Sequence, residues 1–267
     1  MKIFDCVTFF EENRLMSLRF NILNKYVDYF IVCEGKYNHQ GKKKKINFDK
    51  KKYPKFKNKI NHILVDKFPE TNNPWERQAF QREEILNGLN QAKDDDLILF
   101  SDPDEIPNLS NFNKNNFNKK YTIFLQNLFY YKLNIEEKNL GNNWEGTRGC
   151  LKKNLKSINY MRQKVLKKNL KYGFWRIDKE KSIQIIKNGG WHFSYLLTPL
   201  EIQRKIKTFA HTEFNKKKFT SLKNIKYCIK NLKDLFHRNI KYKKVKIDNT
   251  FPKYILENKK KFSSWII

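Results

Sequence analysis

The sequence predicts an α/β protein, a mostly parallel sheet flanked by helices with a C-terminal helical segment. Three observations carry that prediction: two apolar runs, an amphipathic helix between them, and a third run that ends in a cluster of acids. At 267 residues the chain can bury about three quarters of the surface it exposes when unfolded. No linker and no internal repeat interrupts it, so residues 1–267 read as one domain.

Lys2 to Phe9 reads as a continuous apolar run rich in β-formers, as expected of a strand buried on both faces. A helix follows, with Leu15, Leu18, Ile22 and Tyr26 on one stripe and Asn13 as its N-cap. Tyr29 to Cys33 is a second buried strand, ending at Glu34-Gly35. Strand, helix, strand is the unit of a parallel sheet. Lys36 to Lys52 reads as a mobile basic loop, Ile60 to Val65 as a third strand, and Pro74 to Gln91 as a helix opened by proline. Trp75, Ala79, Leu86 and Leu89 form the apolar stripe of that helix, and Arg82 shares it, which calls for an anionic partner. Leu97 to Phe100 is a fourth strand and Tyr121 to Tyr131 a longer one. Ile183–Ile186 and Trp191–Leu196 bracket Asn188-Gly189-Gly190 and suggest a hairpin. Helices at about Pro199 to Ala210 and Ser221 to Phe236 lead to a basic segment that ends in Trp265-Ile266-Ile267.

The net charge of +29 invites a nucleic-acid reading. Residue choice argues against it: only nine of the 56 basic residues are arginine, and Asn, Ile, Phe and Tyr are abundant, a pattern of biased base composition on a solvated surface. No specific nucleic-acid partner is therefore expected, although the positive field would draw in a nucleotide sugar or an anionic glycan. Cys6, Cys33, Cys150 and Cys228 are far apart, mostly in apolar runs, and show no CxxC spacing, which predicts buried free thiols in a reducing compartment. Met1-Lys2 leads straight into a strand, and no stretch approaches the roughly 18 to 20 apolar residues of a membrane span. The expectation is a cytoplasmic protein whose membrane contact is at most peripheral.

In open α/β sheets ligands bind beyond the carboxyl ends of the strands, where Ser101-Asp102-Pro103-Asp104-Glu105 emerges. Asp102 and Asp104 can present hard oxygens to Mg²⁺ or Mn²⁺, which would neutralise a diphosphate and let it leave without a proton. A polar turn capped by acids would have the same residues. The same aspartates would also suit a metal-dependent phosphotransferase or nuclease, which stands as the alternative beside a basic nucleic-acid-binding protein.

Five segments carry a resemblance: Cys6-Val7-Thr8-Phe9-Phe10-Glu11-Glu12, Trp75-Glu76-Arg77-Gln78-Ala79-Phe80-Gln81-Arg82, Ser101 to Pro107, Gly190-Trp191-His192-Phe193-Ser194-Tyr195, and Pro252-Lys253-Tyr254-Ile255-Leu256. Their order resembles glycosyltransferase family 17, which includes the β-1,4-mannosyl-glycoprotein 4-β-N-acetylglucosaminyltransferases. The resemblance implies a GT-A-like, Rossmann-type fold, UDP-N-acetylglucosamine or a related UDP-sugar as donor, a glycan acceptor and an inverting transfer. It also implies a late histidine that completes the metal site. His192, after Gly189-Gly190-Trp191, is the candidate to reach the metal or a phosphate, and His211 competes with it. Arg82 is expected on the diphosphate or on an acidic partner, since its fork suits planar anions. Glu34 would hold the nucleoside. Inversion needs a general base near the acceptor hydroxyl, for which Glu145 and Glu213 are the candidates. The acceptor does not carry over, because the eukaryotic members resembled are membrane-anchored and act on N-glycans.

Overall fold

The computed structural model describes residues 1–110, 112, 117–141 and 143–267. In chain order the elements are β1 (Ile3–Phe9), α1 (Asn13–Leu23), β2 (Tyr29–Gly35), β3 (Ile60–Val65), α2 (Pro74–Glu83), β4 (Leu97–Ser101), β5 (Glu105–Pro107), β6 (Tyr121–Tyr130), β7 (Ile135–Glu137), β8 (Trp144–Leu151), α3 (Ile158–Lys164), β9 (Ile183–Ile186), β10 (Gly190–Ser194), α4 (Pro199–Thr208), α5 (Lys217–Thr220), α6 (Leu222–Lys230), β11 (Tyr242–Lys244) and α7 (Lys253–Glu257).

The strands form one mixed sheet whose main path runs β11-β7-β6-β8-β4-β1-β2-β3. β4, β1, β2 and β3 are parallel. Their apolar runs are explained by cover on both faces: α1 packs Leu15, Leu18 and Phe20 on one side, while Ile85, Leu89, Ile158 and Met161 cover the other. Beyond β4 the sheet departs from the expected parallel pattern. β8 runs antiparallel between β4 and β6, and β7 antiparallel beside β6. The short β6–β7 connection makes a parallel crossover unavailable there.

Several local expectations are corrected. Residues 183–196 do not make a hairpin, because β9 and β10 both pair parallel with β6, at Tyr121–Phe124 and Asn127–Tyr130 in turn. The intervening glycines let the chain cross the sheet closely instead of turning back: Gly190 sits at φ +140°, and a Cβ there would lie 2.2 Å from the Ile106 carbonyl. The second helix ends at Glu83 and continues as a 3-10 turn, Glu84–Gly88, which brings Gly88 against Ile31, where a Cβ would be 2.4 Å from its Cγ2. Asn13 is the first residue of α1 rather than its cap; Glu12 precedes it and accepts from the backbone of Phe10 and Glu11 at 2.9 and 3.0 Å. The C-terminal helices are shorter than the apolar pattern suggests. Residues 36–52 pack rather than wave: Phe48 is buried against Phe20 and the loop's backbone binds Glu34. All four cysteines are free and buried. Among the described residues no helix is long and apolar enough to cross a membrane.

Candidate active site

The turn after β4 is held from beneath by a buried cation. Arg19 on α1 donates from Nε to Asp5 Oδ2 at 2.6 Å and from Nη2 to Ser101 Oγ at 2.9 Å, while Nη1 reaches the carbonyl of Glu105. Both side chains of the Asp5–Arg19 pair are shielded completely from water. One guanidinium thus ties β1 to both ends of the Ser101–Glu105 turn, and the sequence reading passed over both partners.

Past that anchor the acids diverge. Glu105 points inward, fully buried, accepting from Trp144 Nε1 at 2.8 Å and from Arg162 Nη2 at 3.1 Å. Asp102 lies between two guanidinium groups, Arg162 at 2.6 Å and Arg82 at 3.5 Å. Burial works against its charge, but these two cations outweigh burial and lower its pKa to about 2. Arg82 is therefore met by Asp102 and by Asn159 Oδ1 at 3.3 Å. Arg162 was not foreseen; burial opposes its charge too, and Asp102 and Glu105 together hold its pKa above the usual value.

Asp104 faces the other way. Its carboxylate lies 3.4 Å from His192 Nε2 and 3.4 Å from Lys205 Nζ of α4. Burial again opposes ionisation, and the charges of Lys205 and His192 reverse the outcome, keeping Asp104 far below the usual carboxylate range. Lys205 also approaches Glu12 at 3.7 Å and lies over the Tyr195 ring. Backbone pairing brings His192 here across the intervening chain: β10 runs antiparallel to β5 with His192 opposite Glu105, and Phe193 N donates to the Asp104 carbonyl at 2.8 Å. The imidazole packs against Trp144 at 4.6 Å, and its Nδ1 is buried without a hydrogen-bond partner.

Asp102, Asp104, His192 and Lys205 line a crevice of about 270 Å³ at the carboxyl ends of β1, β2 and β4, together with Asn38, Lys44 and Gln81. A second cavity of about 630 Å³ shares Asp102 with it and is lined by Trp144, Glu145 and Arg162. His211 borders both, bonded through Nδ1 to Glu213 at 2.7 Å, with its ring edge-on to Trp75. Glu145 lies in the second cavity, where its carboxylate accepts from Lys167 N at 2.9 Å. Glu213 is exposed at the rim. Glu34 is buried beneath the crevice wall: its carboxylate binds Lys44 and accepts from Asn47 N and Phe48 N at 2.8 and 3.0 Å. It fixes the 36–48 loop that carries Asn38 and Lys44.

As a metal half-site, Asp104 and His192 are suitable. An octahedral ion with bonds of about 2.1 Å sets neighbouring donors about 3 Å apart, close to the observed 3.4 Å. No third His, Cys, Asp or Glu joins them among the described residues. A divalent ion held by one or two protein donors keeps its remaining positions for phosphates and water. The pair therefore fits an ion that arrives with a diphosphate, and Asp102, engaged by two arginines, is the less available donor.

The family model for glycosyltransferase family 17 matches residues 1–265 of the chain. No curated protein matches it.

Proposed function

Because the chain belongs to glycosyltransferase family 17, we propose that the crevice binds a nucleotide sugar, UDP-N-acetylglucosamine, on a GT-A-like scaffold and that the sugar passes with inversion to a glycan acceptor. The observation that carries this reading is Asp104, set beside His192 and Lys205 where the strands end. Asp104 and His192 would hold Mn²⁺ or Mg²⁺, which when bound supplies positive charge to the leaving diphosphate. Lys205 adds a fixed ammonium on the same wall, and its pKa supports the role: burial opposes the charge, but Asp104 and Glu12 raise the value above the ordinary one. Arg82 and Arg162 keep Asp102 ionised and immobile at the junction of crevice and second cavity, which orients the sugar between donor and acceptor. The second cavity is the acceptor's place, and Glu145 is the better placed of the two candidate bases because it lines that cavity while Glu213 is bound to His211 at the rim. Family membership favours sugar transfer over phosphoryl transfer or nuclease chemistry with the same acids. The acceptor is a polysaccharide, lipooligosaccharide or protein glycan handled in the cytoplasm.

The test is calorimetric titration of UDP-N-acetylglucosamine with and without Mn²⁺, alongside release of UDP. Binding that needs the metal and falls at least a hundredfold in Asp104→Asn, with the fold intact by circular dichroism, is the expected result. Undiminished binding and turnover in excess EDTA would remove the metal from the mechanism; failure of any UDP-sugar to bind would remove the donor assignment.

A further inference from the structure

The segment between α3 and β9 presents large apolar side chains to water. Phe174 is 88% exposed, Trp175 69% and Ile177 94%, and Leu170 and Tyr172 are exposed beside them. Singly exposed apolar residues are ordinary; a contiguous group on one loop marks a surface that meets something. The group is held outward by turns. Arg176 N donates to the Gly173 carbonyl at 3.1 Å, Ile177 N to that of Trp175 at 2.9 Å and Lys179 N to that of Arg176 at 3.1 Å. The Trp175 ring lies over Gly173 so closely that a Cβ there would come within 2.3 Å of it. Arg176 forks onto Asp178 at 2.7 and 2.8 Å and covers Tyr172.

The surroundings are cationic. Lys164, Lys168 and Lys171 are exposed on the approach to the tip. The acids of the loop are Asp178 and Glu180, and Asp178 is already paired with Arg176 and Lys179. Aromatic and aliphatic side chains at a tip with lysines behind them match the layering of a bilayer surface: rings and branched chains settle at the headgroup level while ammonium groups meet anionic lipid. Two copies joined through the same patch would instead bring like charges together.

We propose that residues 170–177 form a membrane-docking loop that seats Phe174, Trp175 and Ile177 in the interface of an anionic bilayer. Leu166 and Lys168, just before the loop, line the second cavity, so docking would set that cavity beside the lipid surface, open to a lipid-borne acceptor. The inference stands on the loop's own geometry and does not depend on the donor assignment.

The test is co-sedimentation of the full chain with phosphatidylcholine vesicles, with and without phosphatidylglycerol. Binding to the anionic vesicles that weakens with salt is expected, together with a blue shift in emission that Trp175→Phe abolishes. The triple variant Phe174→Ser, Trp175→Ser, Ile177→Ser should lose vesicle binding at least tenfold and keep the wild-type melting temperature. Equal binding by wild type and triple variant would overturn the proposal, as would no binding by the wild type. A wild-type dimer that the triple variant converts to monomer, without vesicle binding, would assign the patch to a second copy instead.

Discussion

Arg19→Met would expose the anchor beneath the acidic turn to a quantitative check. The substitution keeps most of the side chain's volume but leaves the Asp5 carboxylate with no cation in a site where neither partner touches water. Breaking such a buried pair costs about 3–5 kcal/mol, and on a chain of this size that lowers the melting midpoint by about 10 °C. The double variant Asp5→Leu, Arg19→Met removes the stranded charge as well, so it should recover most of the stability, giving a coupling of about 3 kcal/mol in a double-mutant cycle. Donor affinity should behave differently. Ser101 Oγ and the Glu105 carbonyl lose the same donor in both variants, so UDP-sugar binding should stay at least tenfold weak in the double variant even as stability returns. Urea unfolding and calorimetry on the four proteins of the cycle, with Asp5→Leu as the second single variant, give both numbers. A single variant within about 1 kcal/mol of wild type, or a double variant no more stable than the single, would refute the account of the anchor.

Three further outcomes are expected. Glu34→Gln should destabilise the protein at neutral pH: burial raises the carboxyl's pKa, yet His62, 3.6 Å away, and the bonds from Lys44, Asn47 and Phe48 bring it below the ordinary value. That contribution is complete above the unfolded pKa of about 4.3 and is lost as pH falls through the lower folded value, so urea midpoints of variant and wild type should converge in acid; a gap independent of pH would contradict it. His192→Ala should weaken UDP-sugar binding or turnover tenfold or more with little change in thermal midpoint, whereas an unchanged affinity would leave the imidazole a packing partner of Trp144. Duplex and single-stranded DNA should bind no more tightly than micromolar at physiological salt in a fluorescence-anisotropy assay, and a tighter, salt-steep affinity would restore the nucleic-acid reading of the charge.

What was legible in the sequence follows from how each feature is encoded. Strands such as Leu97–Ser101 are buried on both faces, so they write themselves as unbroken apolar runs, and the acids that follow stand out at once. The Asn188-Gly189-Gly190 segment misled because glycine marks both a reversal and a close crossing; only the pairing of both flanking strands with β6 tells them apart. Arg162 and Lys205 were invisible for another reason. Each finds its carboxylate across a large separation in sequence, so no periodicity announces it, and Lys205 sits in a chain where all but nine of the 56 basic residues are lysines. Asp5 was absorbed into an apolar run because its neighbours set the pattern, and its partner Arg19 lies on the buried side of a helix otherwise read from leucines.

The pairing of β10 with both β5 and β6 bears on how the protein is made. A nascent chain that has not yet exposed residues 190–194 outside the ribosome carries the acidic turn but leaves the edge of Glu105–Pro107 without its partner strand, and Asp104 without His192 or Lys205. Domains of this length acquire such distant pairings late, after local segments have collapsed. The crevice is thus completed in the second half of synthesis, and a message truncated before that point would yield a sheet without it.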